Sequence, residues 1–197
     1  MRCFKYTIKN ISSNNIYFSY NQCSDNEIFT DVLLKRSVAE VIAVDVGYGQ
    51  LAWELRQDPR VKVLDRTNIR HLTGEQVGEP VDLIVADLSF ISLTLVMPAL
   101  AAVSKPDADY LLMVKPQFEV GREQLGAGGV VRDAALRKSA VLEVAESAFD
   151  VGLGTKGIVA SSLPGPAGNV EYFLWLRRGA GEINESELDN AIAIGPQ

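Results

Sequence analysis

Residues 81–119 read VDLIVADLSFISLTLVMPALAAVSKPDADYLLMVKPQFE. Two buried-strand patterns lie in this stretch, VDLIVAD (Val81–Asp87) and DYLLMVK (Asp109–Lys115), with a helical run, Ser92–Ser104, between them. Near-continuous apolar strands are expected where helices cover both faces of a parallel sheet. Each pattern stops at one ionisable residue, Asp87 and Lys115. Pro116 biases Lys115 away from helix and keeps it extended at a strand end. Open α/β sheets bind ligands outside the carboxyl ends of their strands. Asp87 and Lys115, one βαβ unit apart, are therefore candidates for a single site. A purely structural salt bridge is the alternative.

The alternation continues on both sides. Upstream, FTDVLLKRS (Phe29–Ser37) reads as a helix, EVIAVD (Glu40–Asp45) as a buried strand, GQLAWELRQ (Gly49–Gln57) as a helix and VKVLD (Val61–Asp65) as a strand. Pro98 sits inside the Ser92–Ser104 helix at an expected cost. Downstream come a glycine-rich loop (Val120–Asp133), a strong helix (Ala134–Gly152) and two strand patterns, GIVASS (Gly157–Ser162) and NVEYFLWLRR (Asn169–Arg178). The breaker-dense LPGPAG between those two predicts an antiparallel hairpin. The fold class expected is α/β: a doubly wound, mostly parallel Rossmann-like sheet closed by a C-terminal antiparallel hairpin. Such a hairpin distinguishes sheets of the S-adenosylmethionine (SAM) methyltransferase type from dinucleotide-binding ones.

The chain has 197 residues, 47% of them hydrophobic, enough for one α/β domain with a sizeable core. No apolar run approaches the ~20 residues of a membrane span. The N-terminus MRCFKYTIKN lacks a signal-peptide core, so a cytoplasmic address is expected. Cys3 and Cys23 make neither a zinc site nor a disulfide scaffold, and no metal is expected. Net charge is -6, which argues against a strongly basic nucleic-acid binder and leaves room for a local basic patch. Arg56, Arg60, Lys62, Arg66 and Arg70 form one such candidate, with scattered solvated charge as the plainer reading. Three segments are expected: a divergent N-terminal stretch (1–27), the domain (28–178) and a loose acidic tail (179–197). Within the first, IYFSY (Ile16–Tyr20) is either a divergent first strand or foreign sequence.

Other residues carry candidate chemistry. Asp45 ends the second strand pattern, where an acid can accept from a ribose diol; capping the next helix is the alternative. Asn68 has an amide suited to an adenine edge, or it is a turn residue. Glu171 lies among apolar strand residues and needs a partner, which Lys115 can supply if the hairpin packs beside Asp109–Lys115. His71, the only histidine, reads as a surface residue, so Ser–His–Asp hydrolysis has little support. No GxGxxG lies between a first strand pattern and its helix, and GAGG (Gly126–Gly129) reads as a mobile loop over the site.

VIAVDVGYGQLAW, RTNIRHL, VDLIVADLSFISL, VKPQFEVGRE, GAGGVVRD and LPGPAGNVEYFLWL strongly resemble the TlyA (hemolysin A) family of FtsJ-like ribosomal RNA methyltransferases, over about Phe29 to Arg178. The resemblance implies a SAM cofactor, a ribosomal RNA partner rather than DNA, and 2′-O-methylation of ribose. It places Asp87, Lys115 and Glu171 at the second, third and fourth positions of a Lys-Asp-Lys-Glu tetrad. It assigns SAM contacts to Asp45, the adjacent Val46, Asp87 and Asn68. The departures are at the start. YNQCSDNEI (Tyr20–Ile28) stands where the family has a glycine-rich turn against SAM, so weakened SAM binding is expected. Lys5 and Lys9 do not match the first tetrad lysine, and the expectation is a chain without the family's S4-type RNA-binding domain. A catalytically inactive remnant or interaction protein that keeps the fold is the competing expectation.

Overall fold

β4 (Val81–Asp87) and β5 (Ser104–Val114) form the heart of the sheet in the computed structural model, which describes residues 15–19, 26–165 and 167–196. Their side chains alternate between two layers, as the period of two in a strand requires. Ile84, Ala86, Tyr110 and Leu112 pack on one face with Val141, Val144 and Leu188. Leu83, Val85 and Leu111 pack on the other with Phe29 and Leu33.

Seven strands form one sheet in the order β3-β2-β1-β4-β5-β7-β6. The others are β1 (Asn15–Ser19), β2 (Glu40–Val44), β3 (Val61–Leu64), β6 (Leu153–Ala160) and β7 (Tyr172–Arg178). β1 to β5 pair in parallel, and β7 runs antiparallel to both β5 and β6. This is the mostly parallel sheet with an antiparallel hairpin read from the sequence. The expected division at residue 27 needs one correction. Asn15–Ser19 is an interior strand, paired with β2 on one side and β4 on the other. Of the two readings of that stretch, a strand is what is found. Lys5, Lys9, Cys3 and Cys23 lie outside the described residues, as does Tyr20–Asp25 of the substituted turn.

The helices are α1 (Asn26–Leu34), α2 (Trp53–Arg56), α3 (Gly74–Val77), α4 (Met97–Ala102), α5 (Pro116–Glu119), α6 (Ala134–Asp150) and α7 (Glu185–Ile194). The helix read over Gly49–Gln57 shrinks to α2. Gly49 takes φ +71 and Ala52 is extended, so the chain wraps as a loop before turning. Pro98 falls in the first turn of α4, after a separate 3₁₀ turn at Leu93–Leu95. A first-turn proline removes no helical hydrogen bond, so the expected cost does not arise. In α6, Arg137, Ala140, Val141, Val144, Ala145 and Ala148 are buried at helical spacing, and Asp133 caps it by accepting from Ala135 N.

The expected loose tail is corrected too. Residues 179–197 contain α7, which buries Leu188, Ala191 and Ile192 and is capped by Asn184 accepting from Glu187 N. Asp189 lies 2.6 Å from Lys138 of α6. Before α7, the backbone of Ala180–Gly181 runs along β6. Thr155 N donates to Gly181 O, and a Cβ on Gly154 would collide with the Ala180 carbonyl. Leu188→Ala is expected to destabilise the domain by about 2–5 kcal/mol, the range for a fully buried leucine. Denaturant unfolding measures this, and a change under about 0.5 kcal/mol, as at surface positions, would mean that α7 is not part of the folded unit.

Candidate active site

Asp87 is the last residue of β4, and Lys115 directly follows β5. Because the two strands are parallel neighbours in register, with Asp87 opposite Met113, both side chains emerge at the same end of the sheet. Lys115 keeps extended backbone (φ -113, ψ 96), and Pro116 opens α5, as the X-Pro restriction predicts. Lys115 Nζ stands 2.6 Å from Asp87 Oδ1 and 4.0 Å from Glu171 Oε1, and it donates to Ser89 Oγ at 3.4 Å. The Asp87 contact is one of charge, since Oδ1 accepts no aligned hydrogen bond.

Glu171 precedes β7 rather than lying within it. The antiparallel pairing that sets Tyr172 opposite Val114 carries Glu171 to Lys115. Gln117 Nε2 donates to Glu171 Oε1 at 3.2 Å, while Gln117 Oε1 is buried without a hydrogen-bond partner among the described residues. The three charged side chains are only 7–12% exposed, so each depends on its neighbours for the solvation it has lost. Sequence reasoning missed Ser89, two residues past Asp87, and Gln117, two past Lys115. Their nearness to the charged strand ends was the available signal.

A second cluster forms where β2 ends. Asp45 is 7% exposed. Its Oδ1 accepts from Gly47 N at 2.6 Å, and its Oδ2 is buried with no partner among the described residues. Burial pushes its carboxyl up to about 6; the Gly47 hydrogen bond opposes this, and Asp65 adds to it. The alternative role as a helix cap is not taken, since Ala52 caps α2. Val46 projects outward beside it, 59% exposed. Asn68 does adopt its turn role, its side-chain oxygen accepting from Arg70 N to start the 3₁₀ turn Ile69–His71. His71 is exposed.

The basic patch divides. Arg56 forms two hydrogen bonds to Asp65 (3.2 and 2.7 Å), and Arg60 two to Asp58 (3.0 and 2.6 Å). Lys62 donates to the carbonyls of Gln76 and Val77. Of the five, only Arg66 and Arg70 have neither an ion pair nor a hydrogen bond from the side chain among the described residues. Arg66, at φ +54, lies 4.7 Å over the Tyr48 ring. Phe90, at φ +62, is 76% exposed beside Ser89, and its ring is 5.0 Å from that of Phe118.

The GAGG loop is less free than its composition suggested. Gly128 and Gly129 take positive φ, and the far end of the loop is tied to Asn169 and Arg137.

The profile of the FtsJ-like methyltransferases matches residues 26–178. This chain belongs to the FtsJ-like methyltransferase family. It is 62% identical over 149 residues to the 16S/23S rRNA (cytidine-2′-O)-methyltransferase TlyA of Mycobacterium tuberculosis, covering 76% of this chain and 56% of that protein. It is 34% identical over 145 residues to Hemolysin A of Brachyspira hyodysenteriae, 73% of this chain and 60% of that one. The chain thus spans little more than half the length of these relatives. Among solved structures, a hemolysin-named protein from Streptococcus thermophilus matches with TM-score 0.88 at 31% identity, covering 98% of this chain and 70% of the other. The N-methyltransferase NodS of Bradyrhizobium japonicum, with bound S-adenosyl-L-homocysteine, shares the fold at TM-score 0.63 and 12% identity, over 90% of this chain and 84% of that one. The methyltransferase-type sheet expected from the closing hairpin is therefore the fold of this FtsJ-like chain.

Proposed function

We propose that this chain is the catalytic domain of a SAM-dependent enzyme that methylates a ribose 2′-oxygen in ribosomal RNA, a cytidine as in the name of the M. tuberculosis relative. The observation that carries this reading is Lys115 Nζ held between Asp87 and Glu171 at the carboxyl ends of the strands. A ribose 2′-hydroxyl is a weak nucleophile with a high pKa. Lys115 answers this either as an ammonium that favours the developing alkoxide or as an amine that takes the proton. Asp87 and Glu171 fix the Lys115 amine in both cases. The exposed Phe90 ring beside Ser89 suits stacking of an unpaired base, the usual mode of single-stranded RNA recognition.

The residues at the end of β2 fit SAM. The buried, unpartnered Asp45 Oδ2 is an acceptor waiting for a hydroxyl, which a ribose diol supplies. Val46 and Asn68 lie at the same end to flank the adenine, and Asp87 borders the site from β4. Bound SAM supplies an electrophilic methyl group. A ribosomal RNA substrate implies a cytoplasmic place of work. No helix among the described residues is long and apolar enough to cross a membrane. The domain limits proposed are 28–178 for the family core, with β1 contributed from upstream.

The test is transfer of labelled methyl from SAM to ribosomal subunits, followed by mapping of 2′-O-methyl positions, with calorimetric titration of SAM and of NAD. SAM binding with ribose methylation supports the reading. Binding of neither cofactor would favour the remnant. RNA binding offers a further check. Arg66→Glu with Arg70→Glu is expected to weaken RNA binding and flatten its salt dependence, by about one unit of slope per lost phosphate contact. Unchanged affinity and slope would place the RNA surface elsewhere.

A further inference from the structure

Asn169 is 3% exposed, and its side chain is committed to a loop remote in sequence. Its Oδ1 accepts from Val131 N at 2.9 Å, and its Nδ2 donates to Gly129 O at 3.1 Å. Its backbone oxygen accepts from Gly165 N at 2.9 Å. One side chain and one carbonyl thus join the glycine loop and the Gly165 turn to the start of β7. Arg137, 4% exposed, grips the same loop from α6. It donates through Nη1 to Arg132 O (2.7 Å) and Val131 O (3.4 Å), and through Nε to Tyr172 Oη (3.1 Å).

Glu171 stands between these anchors, two residues after Asn169 and one before Tyr172. Gly165 lies directly against its carboxylate, for a Cβ added there would sit 2.6 Å from Oε1. That oxygen is the one that faces Lys115 at 4.0 Å and accepts from Gln117. The floor under Glu171 is therefore a turn whose place depends on Asn169.

We propose that Asn169 is a positioning residue for the transfer chemistry: it fastens the Gly126–Val131 loop and the Gly165 turn to β7, and so holds Glu171 against Lys115. This deepens the methyltransferase reading and rests on it. The job needs a neutral amide, because Val131 N demands an acceptor and Gly129 O a donor. An aspartate of the same shape keeps the first bond and sets an oxygen against the second.

The test uses the full chain with Asn169→Ala, Asn169→Asp and Gly165→Ala, the last displacing the Glu171 carboxylate directly while keeping Asn169. Three readouts are compared with wild type. These are amide exchange at Val131 and Gly165, the resonance of the Lys115 ε-carbon in a ¹³C-labelled chain, and kcat and KM for SAM in methyl transfer. Asn169→Ala should speed exchange at Val131 by about tenfold or more, and at Gly165, whose acceptor is the backbone carbonyl that alanine keeps, by less. The Lys115 resonance should move in Asn169→Ala and in Gly165→Ala alike. Both should lower kcat by about tenfold, with KM for SAM held within about twofold because Asp45 sits on the far side of β4. Asn169→Asp should fall with Asn169→Ala rather than rescue it, and it replaces Asn169→Ala if that variant does not fold. An unmoved Lys115 resonance in the Asn169 variants overturns the proposal, as does a lowered kcat that simply tracks the folded fraction. If wild type transfers no methyl group, the methyltransferase reading fails, and the resonance and exchange measurements alone decide the role of Asn169.

Discussion

Lys115→Ala is expected to abolish methyl transfer to ribosomal RNA while leaving SAM affinity within a few-fold of wild type. Removing the amine takes away the one positive group found at this site among the described residues, and general acid–base groups alone are worth about 10²–10⁴ in rate. The SAM contacts proposed at Asp45 lie at the end of β2, with β1 and β4 between them and the strand that carries Lys115. The truncation also leaves Asp87 and Glu171 buried without their cation, which is destabilising by about 3–5 kcal/mol for a buried pair of this kind. Lys115→Met, which keeps the length without the charge, serves as the companion variant. Both should be checked for folding by thermal unfolding before activity is compared. A folded Lys115 variant with wild-type turnover would remove this residue from the mechanism.

Asp45→Ala is expected to weaken SAM binding by about 1.5–3 kcal/mol, the value of hydrogen bonds to a charged group, which is roughly one to two orders of magnitude in affinity. The wild-type pH dependence gives a sharper check. Burial disfavours the charge of the Asp45 carboxyl and pushes it up to about 6. A ribose diol needs the ionised form, so SAM affinity should hold steady above about pH 6 and fall as pH drops through it. Stability should move the other way. The folded value lies above the ordinary 3.8, so the folded chain takes up a proton before the unfolded chain does. This group's contribution to stability therefore rises as pH falls from about 6 toward 4. Calorimetry between pH 5 and 8, with Asp45→Asn as a titration-free reference, measures the first effect. An equally steep fall in Asp45→Asn would assign it to another group.

The catalytic end of the sheet was legible because strand-terminal charge is a local signal. Asp87 and Lys115 interrupt apolar runs, and Pro116 fixes which way Lys115 leaves its strand. Glu171 was legible only through the hairpin, since a carboxylate among apolar residues asks for a cation and antiparallel pairing with β5 decides which. The basic patch misled because pairing is a property of space. Arg56 meets Asp65 across a turn and Arg60 folds onto Asp58, so spacing along the chain counted charges already compensated. The C-terminal helix was obscured by its acidic residues, although Leu188, Ala191 and Ile192 keep helical spacing. Asn169 gave no signal, because a buried Asn between distant loops is written like any turn residue.

The backbone of Ala180–Gly181 and the helix after it bear on how this protein behaves in a crowded cell. β6 is an outer strand of the sheet, and such strands offer unpaired amide and carbonyl groups to any passing chain. Here the chain's own final segment occupies that position, with the Thr155 amide already satisfied by Gly181 and no room for a side chain at Gly154. The Ala180–Gly181 backbone thus covers the Thr155 end of this edge. A version shortened at residue 178 would retain every proposed catalytic group and still be prone to aggregate, edge to edge.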